Sequence, residues 1–294
     1  MNSTKRRAFM TTVYAKDYDY PVESGRYQLV ISQSCPFAQR TDIVRSLLGL
    51  EEIIGKSVTS PIKTDKIWDF SNQEGNKDAV LEVEYLSELY HNTDPDYEGP
   101  YSVPALVDLT TKKVVNQESL DIIKDFASRF KDLGTSQVED LYPEDQRQAI
   151  DQCFDWVGAD LIGAPAKAHK ASDQAEYEQY ADQFFDRLAE IDQVLADQDY
   201  LVGDHLTLAD VVLYTPLVRF DTTYYTAFQV NKYRLSDFPH LWSHLQKLHQ
   251  IPAFYQSTNF QAIKEGTYLG KNGRDSFGKE ILPQGPVLDM WEVK

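Results

Sequence analysis

Arg26-Tyr27-Gln28-Leu29-Val30-Ile31-Ser32, running on into Gln33-Ser34-Cys35-Pro36-Phe37-Ala38-Gln39-Arg40, is the stretch on which the fold turns. Its first half is a short β-prone run, with Tyr27, Leu29, Val30 and Ile31 as strand formers. Its second half opens a helix. Pro36 suits a first helical turn, where a missing N–H costs nothing, and Ile43, Val44, Leu47, Leu48 and Leu50 supply an apolar face with Gly49 near its end. A cysteine therefore stands at a strand-to-helix junction.

Working outward, residues 61–100 are polar and predict an irregular connection. Residues 103–107 and 113–115 then predict a hairpin around 108–112, and a second helix starts near Glu118 and runs through Ile122, Ile123 and Phe126. Strand, helix, long connection, hairpin, helix is an α/β thioredoxin-like layout, here expected over residues 26–130 after an N-terminal extension, 1–25. A polar linker with Gly134 and Ser136 is expected over 131–143, an all-α domain over 144–265, and a surface tail rich in Gly, Pro and charge over 266–294. Helical patterns are clearest at 177–195, 208–220 and 241–249. Thr207 and Asp210 in GDHLTLADVVLY have capping-box spacing and are read as fixing a buried helix start.

Across 294 residues, 46 acidic side chains against 29 basic ones give a formal charge of −17, which repels nucleic-acid phosphates and anionic lipid. The cluster Lys5, Arg6, Arg7 reads as a solvated tail, so no nucleic-acid partner is expected. No apolar run approaches the roughly 20 residues of a membrane helix, and the first 20 residues lack an apolar signal core, so no membrane partner is expected and the cytoplasm is the default location. Two cysteines more than a hundred residues apart argue against a structural disulfide, and no metal-ligand spacing is present.

Cys35 at a helix start meets unpaired N–H groups and the positive end of the helix dipole, both of which favour a thiolate. Arg40 and Arg45 add positive charge on the same helix. With no second cysteine in the motif, a local disulfide cannot close, and a diffusible thiol is implied as co-substrate. Cys153, within QCFDWV, reads as inert core. Val103-Pro104 at the head of a strand is a candidate cis bond of the kind that presents the preceding backbone to a peptide-like ligand. Gln117-Glu118-Ser119 at the next helix start suits either ordinary capping or a grip on a ligand's carboxylate and ammonium.

Taken together, SCPFAQR (34–40), Trp68-Asp69-Phe70, YSVPALVD (101–108), VVNQESLDIIKDF (114–126), YLVGDHLTLADVVLYTPLVRFD (200–221) and ILPQGP (281–286) resemble the Xi-class glutathione transferases, also called glutathionyl-hydroquinone reductases. The resemblance covers nearly the whole chain and implies a thioredoxin-like domain followed by an all-α domain. It also implies a homodimer and glutathione, or another small thiol, as co-substrate without a metal. In that family the cysteine of a C-P-W-A-H-R motif attacks the sulfur of a glutathionyl adduct and is released by a second glutathione. Cys35 matches that cysteine. By the same resemblance Trp68 covers the tripeptide, the Val103 backbone pairs with its cysteinyl part, Glu118 and Ser119 hold its γ-glutamyl end, Phe37 and Pro104 belong to the same thiol-binding set, and Tyr224 and Tyr268 belong to the acceptor site.

The sequence also departs from the family pattern. Phe37 and Gln39 stand where Trp and His are usual, Pro100 replaces an arginine ahead of the V-P step, Ala166 in IGAPAK replaces a tyrosine, and an H-Y-Y segment reads Thr267-Tyr268-Leu269. Loss of aromatic hydroxyls weakens discrimination for a phenolic acceptor, since hydrogen-bond readout is the stronger selector. Two alternatives to cysteine chemistry stay open at this level: glutathione conjugation, for which Ser34 is the nearby hydroxyl, and a non-catalytic binding module.

Overall fold

The computed structural model describes residues 20–63, 67–269 and 281–293. Lys5, Arg6 and Arg7 and the middle of the expected C-terminal tail lie outside the described residues. The chain divides into two compact units between Gln137 and Val138.

In the first unit, β1 (Tyr27–Ile31), β2 (Ile54–Val58), β3 (Ala105–Asp108) and β4 (Lys113–Asn116) form one mixed sheet in the order β2-β1-β3-β4. β1 is parallel to β2, with Tyr27 opposite Ile54, and antiparallel to β3, with Val30 opposite Ala105. Every residue of β1 is buried, as for a strand covered on both faces. The helices are α1 (Pro36–Leu47), α2 (Leu86–Thr93) and α3 (Ser119–Asp125); α1 packs on α3 and α2 on β4. α1 stops in a Schellman motif: Leu50 N–H donates to the Arg45 carbonyl at 2.9 Å and Gly49 N–H to Ser46 at 3.1 Å. Gly49 holds φ +64°, and a Cβ there would come within 2.5 Å of Thr135 Oγ1, so glycine is required both by conformation and by close approach.

Two elements differ from the sequence reading. β2 was not expected, because Gly55, Lys56 and Ser57 separate its two apolar ends; pairing with β1 makes it a strand. The supposedly irregular 61–100 segment contains α2, an eight-residue helix too short to show a clear period. Glu88 nevertheless fixes its start by accepting the N–H groups of Glu84 and Tyr85, each at 2.9 Å.

The second unit is helical: α4 (Arg147–Trp156), α5 (Ala164–Ala168), α6 (Gln174–Asp197), α7 (Leu208–Leu217), α8 (Pro239–His249), α9 (Pro252–Ser257) and α10 (Phe260–Tyr268). The expected capping box is present at the start of α7. Asp210 is fully buried and accepts from Thr207 N–H (3.0 Å), Thr207 Oγ1 (3.2 Å) and Leu201 N–H (2.9 Å), while His244 Nε2 lies 3.2 Å away. Replacing Asp210 by Ala strands these donors and should lower stability by about 2–4 kcal/mol, read as a reduced urea midpoint at unchanged slope.

Buried His249 meets Tyr214 Oη at 2.5 Å through Nδ1 and packs edge-on against Trp291, with ring centroids 5.1 Å apart. Burial pushes its imidazole down from 6.5 to about 4. Between those values the unfolded chain binds more protons than the folded one, so stability must fall as pH drops through that window. His249→Gln should remove part of this fall, so that the gap in Tm between variant and native protein narrows from pH 7 to pH 5.

Candidate active site

The turn that ends β1 delivers Cys35 to the N-cap of α1. Cys35 N–H donates to the Ser32 carbonyl at 3.0 Å, and the Cys35 carbonyl accepts the first helical bond from Gln39 N–H at 3.0 Å. Pro36 occupies the first helical turn, and no acidic residue lies there to oppose a negative sulfur. The thiol is half-buried, and its Sγ donates to the Val103 carbonyl at 3.5 Å. The Val103–Pro104 peptide bond is cis. The start of α1 and the head of β3, 68 residues apart, thus meet at the sulfur.

Of the two arginines on α1, Arg45 acts elsewhere: it donates to the Ile54 carbonyl at 2.6 Å and the Glu51 carbonyl at 3.1 Å, and lies 3.7 Å from Asp42. A helix whose N-terminus holds the sulfur puts its last turn far from it, so Arg45 fixes the entry to β2 instead of charging the site. Arg40 is buried with its guanidinium 5.1 Å from the Phe37 ring centroid, and Phe37 itself is 40% exposed. Gln39 is buried in α1.

Trp68 is half-buried; its carbonyl accepts Leu86 N–H at 2.9 Å, so the first turn of α2 anchors it. Lys63 reaches over it, Nζ 5.4 Å from the ring centroid, and donates to the Tyr101 carbonyl at 3.4 Å. At the start of α3, Glu118 is exposed and is the N-cap, with its N–H donating to Asn116 Oδ1 at 3.0 Å, while Ser119 is buried. A partly buried relay links this corner to the segment before Val103. Tyr90 Oη donates to the Ser102 carbonyl at 2.8 Å, and Ser102 Oγ donates to Gln117 Oε1 at 3.2 Å. Burial pushes the Tyr90 phenol well above its usual range, keeping it a neutral donor. Pro100 is exposed and offers only a carbonyl, which accepts Tyr97 Oη at 3.0 Å.

Ser34 donates to the Pro61 carbonyl at 2.8 Å and meets Ser32 Oγ at 3.0 Å, a bond that closes the turn. In the second unit, Tyr224 is half-buried in a π-helical turn (Phe220–Tyr224) and stacks on Phe228, centroids 4.8 Å apart. Tyr268 is fully buried, its hydroxyl donating to the Thr222 and Thr223 carbonyls at 3.3 Å each. Ala166 is half-buried in α5. Lys63, Tyr90 and Ser102 were not picked out from the sequence. A Tyr or Ser whose partners are backbone carbonyls leaves no spacing signal, and Lys63 looked like one charge in a polar stretch.

Family models for the "Glutathione S-transferase, N-terminal domain" and the "Glutathione S-transferase, C-terminal domain" match residues 34–129 and 174–247. Glutathionyl-hydroquinone reductase YqjG of Escherichia coli is 35% identical over 272 residues, covering 92% of this chain and 82% of that protein. The chain belongs to the Xi class of the glutathione transferases. Among solved structures, the glutathione S-transferase Xi of Phanerochaete chrysosporium is similar at a TM-score of 0.87 and 36% identity, covering 94% of this chain and 95% of that one. The glutathione-bound structure of YqjG is similar at a TM-score of 0.86 and 34% identity, covering 92% and 88%. These likenesses span both units, so the thioredoxin-like and all-α parts belong to one transferase architecture.

Among the described residues no group of three or more His, Cys, Asp or Glu is placed to hold a metal ion, and no helix is long and apolar enough to cross a membrane. The second thiol of this Xi-class chain contrasts with the first. Cys153 is buried in α4, and burial, with a contribution from the charge of Asp210, pushes it up to about 11. Iodoacetamide at neutral pH should therefore give the native protein a single adduct, which peptide mass mapping places on Cys35; Cys153 should react only after unfolding.

Proposed function

We propose that this protein is a glutathione-dependent reductase that removes glutathione from glutathionyl-hydroquinones or related small adducts through a mixed disulfide on Cys35. The observation that carries the reading is a half-exposed thiol at the N-cap of α1, with no acidic side chain in the helix's first turn. The E. coli relative named a glutathionyl-hydroquinone reductase, with its glutathione-bound structure, supports the substrate class and the identity of the thiol.

In the first step the Cys35 thiolate attacks the sulfur of the adduct. The new S–S bond forms as the carbon–sulfur bond breaks, and the aromatic carbon takes a proton, releasing hydroquinone. In the second step a glutathione thiolate attacks the mixed disulfide, releasing glutathione disulfide and restoring the Cys35 thiolate. The sum converts one adduct and one glutathione into one hydroquinone and one disulfide, so the electrons come from glutathione alone. The Val103 carbonyl meets the sulfur just before the cis bond to Pro104, where an extended tripeptide can pair with backbone; Trp68 and Phe37 offer aromatic faces, and Glu118 and Ser119 a polar end. A cytoplasmic homodimer belongs to the same reading, carried by class membership.

Conjugation of glutathione to electrophiles is the competing chemistry, and it needs a hydroxyl aimed at the bound thiol. Ser34 directs its proton to the Pro61 carbonyl, which favours the cysteine route. Cys35→Ser should reduce glutathionyl-hydroquinone reduction by on the order of a thousandfold, with circular dichroism unchanged. Reduction at the native rate in that variant, or chlorodinitrobenzene conjugation that survives it undiminished as the dominant activity, would replace this reading.

A further inference from the structure

Lys63 follows β2 and stands ahead of Trp68, in a position that none of the site assignments above uses. Its ammonium is half-buried and held from two sides, by the face of the Trp68 ring at 5.4 Å and by the Tyr101 carbonyl at 3.4 Å. A lysine normally extends into water, so a partly dehydrated ammonium pinned by a ring and a carbonyl needs a negative charge nearby to justify its place. Among the described residues no carboxylate forms an ion pair with it. The carbonyl that takes the ammonium belongs to Tyr101, two residues before Val103, whose carbonyl takes the Cys35 thiol at 3.5 Å, and Ser34, next to the cysteine, bonds at 2.8 Å to Pro61, two residues before Lys63. Burial depresses the lysine's proton affinity, and the charge of Cys35 offsets that.

We propose that Lys63 is a positioning residue for the thiol chemistry: its ammonium, fixed by Trp68 and the Tyr101 carbonyl, stabilises the Cys35 thiolate. The inference rests on the reading that Cys35 reacts as a thiolate. It supplies a charge that Arg45 does not, since Arg45 is committed to the carbonyls of Glu51 and Ile54. Attraction between two charges is mutual, so the thiolate that raises the proton affinity of Lys63 is itself favoured by the lysine. Tyr101 adds a structural tie, because its hydroxyl meets His91 Nε2 at 2.9 Å and its own carbonyl holds the ammonium, anchoring the lysine to α2. The amide end of α1 and the Val103 carbonyl that the protonated thiol donates to act on the same sulfur.

The test is the pH profile of Cys35 alkylation by iodoacetamide in the full-length protein, with Lys63→Met and Lys63→Arg beside the native chain. Lys63→Met should cut the alkylation rate at pH 6.5–7 by about three- to tenfold and move the midpoint upward, whereas Lys63→Arg should keep most of the native rate. Both variants should keep the native helical spectrum and Tm. A Lys63→Met profile superimposable on the native one would overturn the proposal. So would a variant whose sole change is a raised KM for glutathione, which would assign the lysine to the tripeptide's carboxylate. A native Cys35 that titrates as an ordinary thiol near 8.5 would instead sink the thiolate reading itself, so the two failures are distinguishable.

Discussion

The meeting of Cys35 Sγ with the Val103 carbonyl is the constraint around which the first unit is organised. It requires the helix that follows β1 and the strand that follows the long connection to begin at the same point. The sheet enforces that coincidence: β1 pairs with β3 so that Val30 stands opposite Ala105, and the residues just beyond each strand converge. Because side chains along a strand alternate with period two, a one-residue slip in this register would turn Val103 to the other face and leave the thiol without its neighbour.

Around that contact the protein invests in braces more than in extra chemistry. The Ser34–Pro61 bond closes the turn before the cysteine, and the Tyr90–Ser102–Gln117 relay joins the approach to Pro104 with the start of α3. Each is a hydrogen bond of ordinary strength, about 1 kcal/mol net, yet breaking one buries an unsatisfied group and costs more. That asymmetry keeps the geometry sharp. Sub-ångström placement matters for thiol exchange, in which the attacking sulfur, the attacked sulfur and the leaving group fall in line.

The strand-to-helix junction, the hairpin, the helix from Glu118 onward and the Thr207–Asp210 cap were legible in the sequence because each is written in contiguous residues: β-branched runs, a proline at a helix start, a capping spacing. β2 and α2 were not. Ile54-Gly55-Lys56-Ser57-Val58 has weak strand character of its own, and Leu86–Thr93 is too short for its period to stand out. Both exist because a neighbouring element, β1 for one and β4 for the other, rewards them with burial.

The sequence by itself determined where Cys35 stands and which two kinds of unit follow one another, because helix starts, turns and amphipathic periods depend on nearest neighbours along the chain. Tertiary structure alone decided which charges and hydroxyls share a neighbourhood. Arg45, on the same helix as Cys35, is drawn to the carbonyls at the far end, whereas Lys63, well beyond that helix in sequence, bonds to the Tyr101 carbonyl, two residues from the carbonyl that takes the Cys35 thiol. Tyr268, a candidate for the acceptor site, spends its hydroxyl on the carbonyls of a π-helical turn. The physical reason is common to all three: Coulomb and hydrogen-bond energies depend on distance in space, and that distance is set by strand pairing and helix packing, which spacing along the chain does not encode.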